Sequence, residues 1–193
     1  MGVALLAVAT RFRAVQRMDD LIEEAAGPHR MYLRRAAGVA TLTGEKFVHP
    51  VIAAATAATL FLTRAGPALR YVLPLAGASL GGIIAHHLVK FLYHRPRPQV
   101  ALDRDKTEAA YPSGHTTNAT AVVATSAYLL VREGLMPLPL AAVCVVALCL
   151  ATGLSRVALG WHWGTDVLGG WMAGIGIAAL CSWGYEVLHA IQS

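Results

Sequence analysis

Three short polar stretches of this chain hold residue types suited to gripping and transferring a phosphoryl group. The first is KFLYHRPRP, residues 90–98, which places Lys90, His94, Arg95 and Arg97 within eight residues. Lysine supplies a point charge and arginine a bidentate fork, and both match phosphoryl oxygens. Pro96 and Pro98 end a helix here and stiffen the chain. The same cations at the end of an apolar span would also serve as a snorkelling, positive-inside anchor, so this stretch alone has two readings.

The second stretch is Pro112-Ser113-Gly114-His115. Pro112 suits the turn into a helix, and Ser113 is a good N-cap residue. The amides of Ser113 and Gly114 would then face outward at a helix N-terminus, where anions bind. Gly114 has no side chain to block close approach, and His115 beside the anion can donate a proton. The third stretch is SRVALGWHWGTD, residues 155–166, in which Arg156 adds a cation. His162 and Asp166 are four apart and would share a face on a helical stretch. A carboxylate on one imidazole nitrogen fixes the tautomer and leaves the other nitrogen to attack. Taken singly, the second stretch reads equally as a plain helix cap and the third as a surface His–Asp contact.

The elements that must position these residues are apolar. The chain has 193 residues, 56% hydrophobic and only 14% charged, against about 25% charged for soluble domains. One domain is the default for this length. Apolar runs cover 47–63, 71–89, 117–131, 138–154 and 167–188, each near the length a bilayer span requires. Short breakers such as Arg64-Ala65-Gly66-Pro67 and Arg132 to Pro139 separate them. The expected fold is an all-α polytopic membrane bundle of five transmembrane helices, or six if the N-terminal segment inserts. Its charges oppose insertion. Residues 1–46 alternate charged with apolar residues at helical spacing, as in Val15, Met18, Leu21 and Ile22. They read as amphipathic helices broken at Gly27-Pro28, lying on the membrane or on the bundle. The division is therefore an amphipathic region 1–46 and a transmembrane domain 47–193. The opening MGVALLAVAT lacks the flanks of a cleaved signal peptide.

With five spans, the polar connections 90–115 and 155–166 open on the same membrane face. The net charge of +5 does not point to nucleic acid, because the basic residues are dispersed and no zinc-finger spacing occurs. Cys144, Cys149 and Cys181 all lie in apolar runs and read as buried small side chains. His86 and His87 near the end of the second span read as packed or interfacial residues.

The three stretches together resemble the type 2 phosphatidic acid phosphatase superfamily, which includes the vanadium-dependent haloperoxidases. The family pattern is Lys, six residues, Arg-Pro; then Pro-Ser-Gly-His; then Ser-Arg, five residues, His, three residues, Asp. Lys90 with Arg97-Pro98, Pro112 to His115, and Ser155-Arg156 with His162 and Asp166 match it without a gap. The resemblance covers roughly residues 47–188. Members with six spans place one ahead of the two upstream of the Lys motif, where this chain has its amphipathic region.

The resemblance implies a lipid phosphatase. Lys90, Arg97 and Arg156, with Ser113 and the Gly114 amide, would hold the phosphoryl oxygens. His162 would attack phosphorus, Asp166 would orient it, and His115 would protonate the leaving oxygen. Water activated by His162 or His115 would then release phosphate. No carboxylate cluster suggests Mg²⁺, so no metal or other cofactor is expected. The substrate would be an amphiphile, an isoprenoid or glycerolipid phosphate or diphosphate, met among membrane lipids. Trp161 and Trp163 would flank it or serve as interfacial belt residues.

Three other readings fit parts of the sequence: a haloperoxidase, which five spans oppose; a headgroup-binding scaffold, which needs no His–Asp set; and a phosphotransferase. The expected location is a bacterial inner (cell) membrane. Thirteen of the sixteen Lys and Arg residues lie on the active-site face, which by the positive-inside rule is cytoplasmic. Family members commonly face the opposite way.

Overall fold

The computed structural model describes residues 2–42, 45, 47–64, 66–98 and 109–192. Residues 99–108 of the polar connection, with Arg104 and Lys106, lie outside the described residues, as does Lys46. The described chain is helical, and no strand occurs in it. Its α-helices are α1 (Gly2–Ala9), α2 (Arg13–Ala26), α3 (Arg30–Leu42), α4 (Val48–Thr63), α5 (Ala68–Leu92), α6 (Gly114–Arg132), α7 (Leu138–Ala158) and α8 (Gly164–Gln192). The five apolar runs are α4 to α8, so the polytopic helix bundle stands. Among the described helices, α5, α7 and α8 are each long and apolar enough to cross a membrane, and α4, with 16 residues, is shorter.

Helix α6 is the axis, packed by α4, α5, α7 and α8. Most of its residues are buried, including Thr116, Thr117, Asn118, Thr120, Thr125 and Ser126. This explains how a span can carry so many hydroxyls: it faces protein rather than lipid. Thr117 Oγ1 donates to the Ser113 carbonyl at 2.9 Å and Thr125 Oγ1 to the Ala121 carbonyl at 2.8 Å, so these groups are satisfied within the helix. Close approach of α6 and α8 depends on glycine. A Cβ on Gly174 would lie 2.5 Å from Thr120 Cβ and 2.8 Å from the Thr117 carbonyl oxygen. Lipid gives apolar side chains no reason to leave it for each other, so small residues that admit dispersion contact hold such helices together. At the far end from the polar stretches, Arg70 donates to Glu133 at 2.8 Å and to the Tyr185 hydroxyl at 3.1 Å, joining α5, the α6–α7 turn and α8.

The N-terminal helices lie on the bundle. α3 packs along α7, α1 along α8, and a 3-10 turn at Gly27–His29 breaks the chain at the expected Gly27-Pro28. α2 turns a single residue fully inward. Its buried residue is Asp19, while Met18, Leu21 and Ile22 are exposed. Met18 and Leu21 therefore face away from the bundle, Ile22 lies at its edge beside Gly164, and the inner face carries the Asp19 carboxylate.

Replacing Gly174 by valine is expected to lower the melting temperature in detergent, at a cost of roughly 1–3 kcal/mol for overpacking. Gly176→Ala is the control, since a Cβ there meets nothing within 4 Å. Equal melting temperatures for both variants would contradict the close-contact account.

Candidate active site

The site forms where the ends of α5, α6 and α7 meet the start of α8. α5 ends near Lys90, and the extended segment 93–98 follows. That segment is pinned to the α7–α8 turn. Arg97 Nη1 donates to the Trp161 carbonyl at 2.9 Å, and the Trp163 indole donates to the Pro96 carbonyl at 2.9 Å. The second stretch joins the third through its backbone: Ser113 N donates to the Asp166 carbonyl at 3.0 Å. All three polar stretches thus meet at one end of the bundle.

His162 and Asp166 pair, though not as neighbours on a helix. α8 begins at Gly164, and His162 lies in the turn before it. Gly160, with φ +70°, turns the chain as α7 ends, a left-handed conformation that favours glycine. The Trp161 amide then bonds back to the Arg156 carbonyl at 3.0 Å. The result sets His162 Nδ1 3.5 Å from Asp166 Oδ2, while Nε2 lies 3.4 Å from Arg97 Nη1. This orientation suits the tautomer protonated at Nδ1, with the Nε2 lone pair turned to the cations. The separation from Asp166 is longer than a good hydrogen bond, as is common before a substrate tightens a site. Burial pulls the His162 imidazole down to about 4; Asp166 raises it, and Arg97 and Lys90 lower it further. The ring is therefore neutral across the neutral pH range.

Ser113 precedes α6 as its N-cap, but its side chain makes no capping bond. Its Oγ instead accepts from Thr116 Oγ1 at 2.9 Å. Gly114 opens the helix, with its amide in the first turn where anions are bound. A second reason for glycine here is steric, since a Cβ would lie 2.9 Å from the His86 ring. His86, read from the sequence as packed or interfacial, is the wall behind that position, and its Nδ1 faces the Gly82 carbonyl at 2.8 Å.

His115 is partly exposed, with Nε2 3.5 Å from Glu45 Oε1. Arg156 is fully buried; its Nη2 donates to the Thr41 carbonyl at 3.0 Å and lies 3.9 Å from the same Glu45 oxygen. Its guanidinium stacks 5.0 Å from the centre of the Trp161 ring. Lys90 and Arg97 thus stand with His162 and Asp166, and His115 and Arg156 meet around Glu45. Cations, an orientable imidazole and a helix N-terminus in one place can bind a phosphoryl group and stabilise charge developing on it.

Four further residues belong to this assembly that the motifs did not single out. Arg95 Nη1 donates to Asp166 Oδ1 at 2.7 Å and to Thr165 Oγ1 at 2.6 Å, and its Nη2 donates to Asp19 at 2.6 Å. Burial pulls Arg95 down, but the carboxylates of Asp166 and Asp19 outweigh it and hold its pKa above the ordinary value. Arg95 was visible in the sequence only as one more cation beside Arg97. Asp19, Thr165 and Glu45 carried no signal, because their partners are remote in the chain. Among the described residues, no cluster of three or more His, Cys, Asp and Glu side chains is set to hold a metal ion.

Comparison with known proteins gives a consistent result. The family model described as the PAP2 superfamily matches residues 67–189. Phosphatidylglycerophosphatase B of Bacillus subtilis (strain 168) is 31% identical over 180 residues, spanning 89% of this chain and 85% of that protein. Undecaprenyl-diphosphatase BcrC of the same organism is 34% identical over 116 residues, spanning 58% of this chain and 56% of that protein. The crystal structure of a transmembrane PAP2-type phosphatidylglycerolphosphate phosphatase from Bacillus subtilis superposes with a TM-score of 0.80 and 28% identity. It covers 95% of this chain and 92% of that chain.

The lowered pKa of His162 has a measurable consequence for stability. Between the unfolded value of 6.5 and the folded value of about 4, the unfolded chain binds a proton that the folded chain refuses. Stability therefore falls as the pH drops through this window, by at most about 3.5 kcal/mol from this group. Melting of the wild type and of His162→Gln between pH 7.5 and 4 checks it. The wild type should lose more stability on acidification, and parallel curves would contradict the burial argument.

Proposed function

The chain belongs to the PAP2 superfamily as a membrane-embedded phosphatase, and from that premise we propose that it releases phosphate from a lipid phosphomonoester or diphosphate through a phosphohistidine at His162. The observation that carries this reading is the setting of His162 itself: buried, neutral, with Nδ1 toward Asp166 and Nε2 toward Arg97. Lys90, Arg97 and Arg156, with Ser113 and the Gly114 amide, would hold the phosphoryl oxygens. Nε2 would attack phosphorus as the bond to the leaving oxygen breaks, and His115 would give that oxygen its proton. The N–P bond would then be hydrolysed by water, which neutral His115 deprotonates in turn. Asp166 would stabilise the positively charged ring of the intermediate. Charge neutralisation by fixed cations would be the main contribution to rate, with no metal ion taking part.

The substrate reading rests on place and on kinship. The cations stand at helix ends, where headgroups lie, and Phe91 and Leu92 beside Lys90 are exposed to the surroundings of the bundle. An isoprenoid or glycerolipid phosphate fits this arrangement. The two curated relatives are named for phosphatidylglycerophosphate and undecaprenyl diphosphate, one of each kind. In this reading residues 47–193 carry the phosphatase, residues 1–46 cover its active-site end, and the membrane is a bacterial cell membrane.

The test is phosphate release by purified protein in detergent containing EDTA, with phosphatidic acid, phosphatidylglycerol phosphate and a polyprenyl diphosphate. The wild type should turn over at least one of them, and His162→Ala should show none above background. Alanine at Lys90 or Arg97 should lower kcat/KM by about 10²- to 10³-fold. Acid-labile, base-stable phosphate on the quenched wild type marks the phosphohistidine. Turnover that requires an added metal, or that survives in His162→Ala, would sink the mechanism.

A further inference from the structure

We propose that Asp19, carried by the N-terminal helix α2, is a positioning residue for the nucleophile, acting through Arg95 and Asp166; the proposal rests on the phosphohistidine reading above. Asp19 is 1% exposed, whereas Asp20 and Glu24 on the same helix are exposed and Glu23 is half-buried against Arg30. Its Oδ2 accepts from Arg95 Nη2 at 2.6 Å and from the Thr165 hydroxyl at 2.6 Å, and its Oδ1 accepts from the Thr165 amide at 3.0 Å. It therefore caps the start of α8 from another part of the chain. The other nitrogen of the same guanidinium, Arg95 Nη1, donates to Asp166 Oδ1 at 2.7 Å. Asp166 Oδ2 accepts from the Trp163 amide at 2.9 Å and faces His162 Nδ1. Asp166 is thus gripped on both oxygens, and Arg95, which grips one of them, is held by Asp19.

Charge explains why a second carboxylate is needed. Arg95 alone beside Asp166 would neutralise it and draw it away from the imidazole. With Asp19 present, the guanidinium is shared between two carboxylates, and the buried trio keeps one net negative charge. That charge faces Nδ1 and is balanced when His162 becomes positive on phosphorylation. Burying three ionised groups gains little stability over an apolar packing of similar volume, so their use at this place fits a demand for orientation. α2 contributes a charge to the reaction without touching substrate.

The bland alternative is that Asp19 only fastens α2 and caps α8. Asp19→Asn separates the two, because asparagine keeps an oxygen for the Thr165 amide and removes the charge. Single-turnover phosphate release, with the full-length enzyme in excess over short-chain phosphatidylglycerol phosphate in detergent, reads both effects. The rate constant reports chemistry, and the amplitude reports the folded fraction. The expected result is a rate constant lowered about 10- to 100-fold at unchanged amplitude, with the half-saturating enzyme concentration within about twofold and partial recovery in Asp19→Glu. An unchanged rate constant, whatever the amplitude, overturns the proposal. If Asp19→Asn does not fold, Thr165→Val decides: it removes the hydroxyl that Arg95 and Asp19 share, and its rate constant should fall several-fold, whereas wild-type kinetics would overturn the role. A wild type that is active while His162→Ala is inactive and Asp19→Asn is fully active refutes Asp19 alone. The same assay runs on whichever of the three lipids the wild type turns over; a wild type silent on all three, or an active His162→Ala, refutes the phosphohistidine reading and the positioning role with it.

Discussion

The polar end of this bundle is organised around one buried carboxylate. Asp166 has no exposed surface, and each part of it is used: one oxygen by Arg95, the other by the Trp163 amide and the face of His162, and its carbonyl by the Ser113 amide. An ionised group in such surroundings costs several kcal/mol unless its partners are fixed. The need to fix them sets the local structure. Arg95 and Arg97 must leave α5 in an extended segment to reach the α7–α8 turn, and Pro96 between them prevents helix there. Ser113 must approach backbone to backbone, which places the start of α6 beside the start of α8. The ends of the two helices and the intervening turn are therefore one unit.

The rest of the bundle supplies the rigidity that such a unit requires. A membrane gives no hydrophobic advantage to helix contact, so α6 and α8 meet through glycine and threonine at distances that exclude even a methyl group. The hydroxyls of Thr117 and Thr125 are satisfied along α6 itself, and the helix is shielded by four neighbours. Tight, short-side-chain packing below the site holds Gly114 against His86 and Ser113 against Asp166. The geometry at the phosphate end is thus inherited from dispersion contacts in the lipid-depth part of the chain.

Much of this was legible in the sequence because the relevant signals are local. Five apolar runs gave five bundle helices, and Lys90, Arg97, Ser113, Gly114, His115, Arg156, His162 and Asp166 do gather at one end. What was not legible depended on tertiary contact. Helical spacing suggested that His162 and Asp166 share a helix face, yet a turn at Gly160 brings them together. The helical spacing of α2 fitted a helix on the membrane or on the bundle, and it carried no sign that the residue turned inward is Asp19, whose partner Arg95 is remote in the chain. Gly114 looked like room for an anion, and the His86 ring behind it could not be seen from residues 28 positions away.

The two sets of charge around His162 act in opposite directions, and their balance defines what the ring can do. Lys90 and Arg97 oppose its protonation, as does burial, so the resting ring is neutral with a lone pair on Nε2. The same cations favour an anionic phosphoryl group at that lone pair. Behind the ring, Asp166 favours positive charge, and Arg95 tempers it. A site with cations on both sides would bind phosphate and leave the ring without support once it became charged. A site with carboxylates on both sides would repel phosphate. The proposed nucleophilic role of His162 requires the asymmetry found here, with positive charge ahead of Nε2 and a buried net negative charge behind Nδ1. The second negative charge comes from α2, so the N-terminal helices are part of the electrostatics of the site and not only its cover.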